Sequence, residues 1–220
     1  MLKALYYPGD VPFDSLFIPA IYHEIYYDGV YMDVLNDIDH NKKDPIIVDV
    51  GSNIGITVQY FRDHAKKVYA IEPASENFEA LKANKENNGW DNVEIFNFAI
   101  SNEDGETTLR RNKNNLTMNS IAVDYNERVA GKEEIVKTKT FGTFFKENNI
   151  THVDFMKFDV EGAEELILPT KDFDEASKII DNIEIEFHFP DFTKHVNHLI
   201  ELGYTARRYN CNAVVIDFNK

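Results

Sequence analysis

Asp159, Glu186 and His188 are the residues best placed, by type and position, to move a proton. Asp159 ends the apolar run Phe155–Asp159 (FMKFD), and Glu186 and His188 end the run Asn182–His188 (NIEIEFH). Apolar runs of this length read as buried strands, and an open α/β sheet gathers its ligands outside the carboxyl ends of its strands. Period-two alternation puts Glu184, Glu186 and His188 on one face of their strand and Ile183, Ile185 and Phe187 on the other. An imidazole that titrates near neutrality and is oriented by a carboxylate can take the proton of a hydroxyl. His188 is the expected base, with Asp159 and Glu186 beside it. A divalent metal is not expected, although these three side chains are the ones that would hold it.

A second group is suited to binding. Asp49 ends the run beginning at Ile46, and Gly51-Ser52-Asn53-Ile54-Gly55 follows as a turn. Gly51 and Gly55 lack Cβ, so the chain can turn sharply and a ligand can approach the backbone. The helix that then runs through Thr57 and Tyr60 offers unpaired N–H groups to an anion or dipole. Glu72 follows Gly51 by about 20 residues, at the tip of the next strand, where an acid grips the ribose hydroxyls of a nucleoside. A dinucleotide fingerprint would need a glycine at position 53 so that two N–H groups could meet a pyrophosphate. Asparagine stands there instead. Asp49 would repel a pyrophosphate and suits a sulfonium. These features select S-adenosylmethionine over NAD. An NAD-type Rossmann oxidoreductase is the nearest alternative, and a non-catalytic S-adenosylmethionine-binding module is the third reading.

The elements that must position these residues alternate. Strands are predicted over Ile46–Val50, Lys67–Ile71, Val93–Ala99, Phe155–Asp159, Asn182–His188 and Ala213–Phe218. Helices are predicted over Gly55–Arg62, Ser75–Asn88, Glu164–Leu168 and Thr193–Leu202. Such alternation implies a parallel sheet with right-handed crossovers, covered by helices on both faces. A segment rich in Tyr, Phe and Pro, residues 1–40, reads as an N-terminal cap with a helical phrase around Ile18–Tyr27. Residues 101–146 read as an insertion between the third and fourth strands. It carries two short strands (Glu106–Arg110 and Ile135–Thr140) around the Asn-rich stretch Asn112–Asn119. Residues 1–220 are read as one domain.

VDVGSNIG, the AIEP strand end, NFAIS, KFDVEGAE and EIEFH, in this order, resemble the FkbM-type methyltransferases, a family of class I S-adenosylmethionine-dependent enzymes. The resemblance runs from about Glu24 to Tyr204. It implies a Rossmann-like sheet of order 3-2-1-4-5-7-6 with one antiparallel strand, formed by Ala213–Phe218 beside Thr205–Tyr209. It also implies cofactor contacts at Asp49, Gly51, Asn53 and Gly55, with Glu72 on the ribose. The adenine would lie beside Asn97, Phe98 and Ala99, and Asp159 would face the methionine end or the acceptor. The implied activity is O-methylation of a sugar, glycan or related small metabolite.

Composition narrows the acceptor. The 220 residues carry 23 Lys and Arg against 38 Asp and Glu, a formal net charge of -15. A field of that sign disfavours nucleic acid and anionic membranes. It also disfavours phosphorylated or carboxylated acceptors, so a neutral polyol is expected. The single cysteine, Cys211, excludes an internal disulfide and a multi-cysteine zinc site. No apolar stretch is long enough to span a bilayer, and a cytoplasmic location is expected. The fourth strand ends in DVEG and not in an N/D-P-P-Y/F turn, which argues against methylation of adenine or glutamine nitrogen. Oligomeric state has no signature in the sequence.

Overall fold

The computed structural model describes residues 17–41, 44–112, 119–122, 130–210 and 214–220. The start of the cap, most of the Asn-rich stretch, Cys211 and the first residue of the predicted last strand lie outside the described residues.

Two helices come first, α1 (Phe17–Tyr26) and α2 (Met32–Asn41), followed by β1 (Ile46–Val50), α3 (Ile56–Phe61), β2 (Lys67–Ile71), α4 (Ser75–Asn88) and β3 (Val93–Phe96). Next come β4 (Ala99–Ile100), β5 (Gly105–Asn112), β6 (Ala130–Lys139), α5 (Phe141–Glu147) and β7 (Val153–Phe158). The chain ends with α6 (Glu164–Ile167), α7 (Lys171–Ser177), β8 (Ile180–Phe187), α8 (Thr193–Glu201), β9 (Thr205–Asn210) and β10 (Val214–Asn219). The main sheet has the order β3-β2-β1-β7-β8-β10-β9, in which β10 runs antiparallel to both neighbours. In strands of the main sheet alone this is the expected 3-2-1-4-5-7-6.

β7 is central and every one of its residues is buried, as a parallel strand covered on both faces requires. Register then aligns the charged positions. Asp49 of β1 stands opposite Lys157 of β7, and Lys157 stands opposite Glu184 of β8. One apolar cluster joins the sheet to α5, α7 and α8 through Phe141, Phe144, Phe158, Phe173 and Leu199. The other joins the opposite face to the cap through Ile25, Tyr31 and Leu35, packed with Val58, Phe61 and Phe155. Tyr26 meets Tyr60 edge-on at 5.2 Å, and Tyr22 Oη donates to Gln59 Oε1 at 3.0 Å. The aromatic cap is therefore held on α3, beside the glycine turn.

The third predicted strand is corrected. It does not continue from Val93 to Ala99: β3 stops at Phe96, and Ala99–Ile100 pairs with β6 in a separate sheet of order β4-β6-β5. Asn97 makes the break, because its Nδ2 donates to the carbonyl oxygens of Glu72 and Pro73 at 2.9 and 3.0 Å. Three helices were not predicted. α2 precedes the core, and α5 and α7 are short, each capped by a threonine hydroxyl: Thr140 accepts from Thr143 N, and Thr170 from Phe173 N.

Candidate active site

The carboxyl ends of β1, β2, β7 and β8 surround one cavity of about 360 Å³. Cap residues Glu24 and Tyr31 close one side, and Leu109 and Ile121 of the insertion another. Of the predicted residues, Gly51, Asn53, Thr57, Glu72, Ala99, Asp159 and Glu186 line it. Asp49, Gly55, Asn97 and His188 do not line it.

Glu72, just beyond the end of β2, is only 5% exposed. Its Oε2 accepts from Asn53 N at 2.9 Å, and its Oε1 from Ala74 N at 2.9 Å and Asn77 Nδ2 at 3.5 Å. The carboxylate thus ties the glycine turn to the start of α4. Burial pushes its pKa up to about 7 against the pull of these donors.

The glycines make the expected sharp turn, and each also fits closely against protein atoms. Gly51 has φ +86°, and a Cβ there would fall 1.8 Å from the Asp159 carbonyl oxygen. Gly55 has φ +94°, and its Cβ would meet Leu81 at 2.7 Å and the Trp90 ring at 3.1 Å. Both positions need glycine for left-handed backbone and close protein contact, and the space beside them is filled by protein atoms. The N–H groups of Gly51 and Ser52 both donate to Ile71 O at 3.0 Å, which locks the turn onto β2.

Asp49 is wholly buried. Its Oδ2 accepts from Thr57 Oγ1, and its Oδ1 lies 3.8 Å from Lys157 Nζ. Burial raises its pKa, and Lys157 and Thr57 oppose the rise. Lys157 Nζ donates to Asp159 Oδ2 at 2.9 Å and to Gly51 O at 3.4 Å. Burial would lower the lysine pKa, but Asp159 and Asp49 outweigh it and keep the ammonium charged. For Asp159, burial raises the pKa, and Lys157 and His188 together bring it below the ordinary value.

His188 sits among carboxylates. Its Nδ1 donates to Glu164 Oε1 at 3.1 Å, since an ionised carboxylate can only accept. Its Nε2 faces Glu161 Oε2 and Glu186 Oε1 at 3.5 Å and Asp159 Oδ1 at 3.8 Å. Burial would depress the imidazole pKa, but Glu164, Glu186 and Asp159 outweigh it and push it up to about 11. In this arrangement the side chain expected to act as base already carries its proton at neutral pH.

Lys157, Glu161, Glu164 and Glu24 were not among the predicted residues. Lys157 alternates with Asp159 in KFDVEG, and that period-two signal could have found it. Glu161 has φ +55°, which nothing in the sequence announces. Its backbone is held by Ser120, whose Oγ donates to Glu161 O.

The main sheet and its crevice define a class I methyltransferase fold. Solved structures of that class agree at the level of fold. A precorrin-6y C5,15-methyltransferase from Geobacter metallireducens gives a TM-score of 0.51 at 12% identity, covering 87% of this chain and 89% of its own. An rRNA methylase from Streptococcus thermophilus gives 0.52 at 11%, covering 86% and 92%. Residues 49–206 match the methyltransferase FkbM domain, and the chain belongs to that family. Methyltransferase 1 of Beauveria bassiana is 30% identical over 195 residues, 80% of this chain and 75% of the relative. Methyltransferase sdnD of Sordaria araneosa is 27% identical over 196 residues, covering 76% and 73%.

Proposed function

We propose that the chain transfers a methyl group from S-adenosylmethionine to a hydroxyl of a neutral, polyol-like acceptor such as a sugar or glycan. One observation carries this reading: a single cavity joins Glu72 at one end to Asp159 and Glu186 at the other. The nearly buried carboxylate of Glu72 fits paired ribose hydroxyls, which would supply donors to a charge that burial disfavours. Phe98 and Ala99 offer an apolar wall for a base. Glu24, Asp159, Glu161, Glu184 and Glu186 complement a sulfonium, and Lys157 is the one cationic lining residue among those described.

S-adenosylmethionine supplies an activated methyl carbon, so the protein's share is alignment and removal of one proton. The hydroxyl oxygen bonds to the methyl carbon as the carbon–sulfur bond breaks and the sulfonium becomes a thioether. Asp159, held ionised by Lys157 and His188, accepts the hydroxyl's hydrogen bond and aims its lone pair. The proton leaves along that hydrogen bond to Asp159, and Glu186, on the cavity wall and outside the Lys157 pair, adds a second carboxylate beside it. His188 steadies both carboxylates. The same acids repel phosphate and carboxylate groups, and the net charge of -15 weighs against nucleic acid as acceptor.

Calorimetry with S-adenosylhomocysteine and with NAD tests the donor site: binding of the first and not the second is expected, and the reverse would sink the reading. Transfer of labelled methyl to neutral glycans, set against their phosphorylated counterparts, tests the acceptor.

A further inference from the structure

From the way hydrogen-bond donors are spent around the cavity, we infer that the Tyr31 hydroxyl of the cap binds the amino-acid end of the methyl donor, donating to its α-carboxylate. The inference rests on the proposed S-adenosylmethionine site and adds a binding residue to it. Among the described residues, the buried part of the cavity wall carries side-chain donors on Tyr31, Ser52, Thr57, Asn77 and Lys157. All but Tyr31 spend them on the protein. Ser52 Oγ donates to Asp49 O at 2.8 Å, and Thr57 Oγ1 to Asp49 Oδ2. Asn77 Nδ2 donates to Glu72 Oε1 at 3.5 Å, and Lys157 Nζ to Asp159 Oδ2 at 2.9 Å. The turn after β1 is occupied as well: the N–H groups of Gly51 and Ser52 go to Ile71 O, that of Asn53 to Glu72, and that of Gly55 to Ser52 O. Tyr31 is only 6% exposed, and its hydroxyl has no hydrogen bond to any described residue.

The ring is fixed where the chain turns from α1 into α2. It meets Phe61 edge-on at 4.9 Å and Phe155 at 6.2 Å, and Leu35 N donates to Tyr31 O at 3.0 Å. A tyrosine whose ring is wedged in an apolar cluster, with its residue on a cavity wall, is oriented before any ligand arrives. The charges that act on the phenol are the carboxylates of Glu184, Asp49, Asp159 and Glu24, and none of them accepts a hydrogen bond from it. Burial, reinforced by these carboxylates, holds its pKa well above the ordinary 10. The hydroxyl therefore keeps its proton and is available to donate.

Position selects which end of the reactants it meets. Asp49, Lys157 and Glu184 form one row across β1, β7 and β8, and Asp159 and Glu186 follow two residues later, about 7 Å farther along their strands. Glu184 and Asp49 act on Tyr31 more strongly than Asp159 does, so the phenol belongs to the deeper row. The hydroxyl chemistry belongs to the outer one. With the ribose at Glu72 and the sulfur facing Asp159, the amino-acid tail of the donor is left for the deeper row. That tail carries an anion into a crevice of carboxylates, where an anion taken from water needs a donor. Lys157 is held between Asp159 and Asp49, and Tyr31 supplies a neutral donor beside them. An acceptor hydroxyl makes no such demand, because Asp159 and Glu186 take its hydrogen bond.

The test is calorimetry with S-adenosylhomocysteine, its decarboxylated analogue and methylthioadenosine, for the wild type, Tyr31→Phe and Tyr26→Phe. Tyr31→Phe should weaken S-adenosylhomocysteine by about 10–100-fold, as loss of a hydrogen bond to a charged group does, and leave the other two ligands unchanged. Tyr26 carries a cap hydroxyl that is buried and does not line the cavity, so Tyr26→Phe should bind all three like the wild type. Without ligand, Tyr31→Phe should melt no lower than the wild type, because the hydroxyl it removes has no described protein partner. Equal weakening of all three ligands, an unchanged S-adenosylhomocysteine affinity, or the same selective loss in Tyr26→Phe overturns the assignment, as does a Tyr31→Phe that melts well below the wild type. A wild type that binds none of the three sinks the donor site with it. A wild type that binds them, with no carboxylate-dependent change in Tyr31→Phe, sinks the Tyr31 contact alone.

Discussion

Changing Glu72 to Gln gives the sharpest test of the proposed nucleoside site, because the expected effect lies in a slope and not only in a loss. The Glu72 carboxyl is pushed up to about 7 from an ordinary 4.5. At about 1.4 kcal/mol per unit, the difference amounts to about 3 kcal/mol of preference for the neutral form in the empty protein. The sign follows from linkage. A raised carboxyl pKa stabilises the fold fully below the unfolded value, near 4.5, and that contribution is lost as pH rises through about 7. Ribose hydroxyls donate to the ionised form, so binding expels the proton. Between about pH 5 and 7, S-adenosylhomocysteine affinity should rise by up to tenfold per pH unit and then level off. Glu72→Gln should remove the slope and weaken binding at pH 8 by about 1.5–3 kcal/mol, the worth of hydrogen bonds to a charged group. Calorimetry in buffers of different ionisation enthalpy counts the released proton directly. A wild-type affinity flat across that range, or the same slope in Glu72→Gln, would refute the argument.

Other substitutions probe the supports of the site. Gly51→Ala adds about 1–2 kcal/mol of left-handed strain to an overlap with the Asp159 carbonyl, and chemical denaturation should show the fold lost or nearly so. Lys157→Met leaves Asp49 and Asp159 without their cation, which should cost about 3–5 kcal/mol in the same measurement. Asn97→Ala frees two carbonyls at the surface and should cost about 0.5–1.5 kcal/mol in melting experiments, with S-adenosylhomocysteine binding weakened through the Glu72 strand end.

What could be read from the residues was whatever depends on local pattern. The apolar runs at Ile46, Lys67 and Phe155 announced strands because burial on both faces demands continuous apolar residues. Ser75–Asn88 was placed to the residue. The break at Asn97 was hidden, because its cause is a side-chain bond to carbonyls about a strand away rather than a local preference. The row Asp49–Lys157–Glu184 was hidden for a related reason: register between strands distant in sequence brings it together. Asp159 and His188 could be named from their strand ends, but the charge state of His188 depends foremost on Glu164, which the start of α6 folds back onto it. Glu24 reaches the cavity only because the cap lies on α3. No helix among the described residues is long and apolar enough to cross a membrane.

The contact between Gly51 and the Asp159 carbonyl also constrains how such a protein can diversify. Two loops from different strands share one van der Waals boundary, with no room for even a methyl group between them. The turn after β1 cannot be re-sculpted without dragging Asp159, so the pair must change together or not at all. The cap helix and the insertion meet the cavity through Glu24, Leu109 and Ile121 and are free of that seam. A lineage that exchanges one acceptor for another would be expected to record the change there, leaving DVGSNIG and KFDVEG as a fixed chassis.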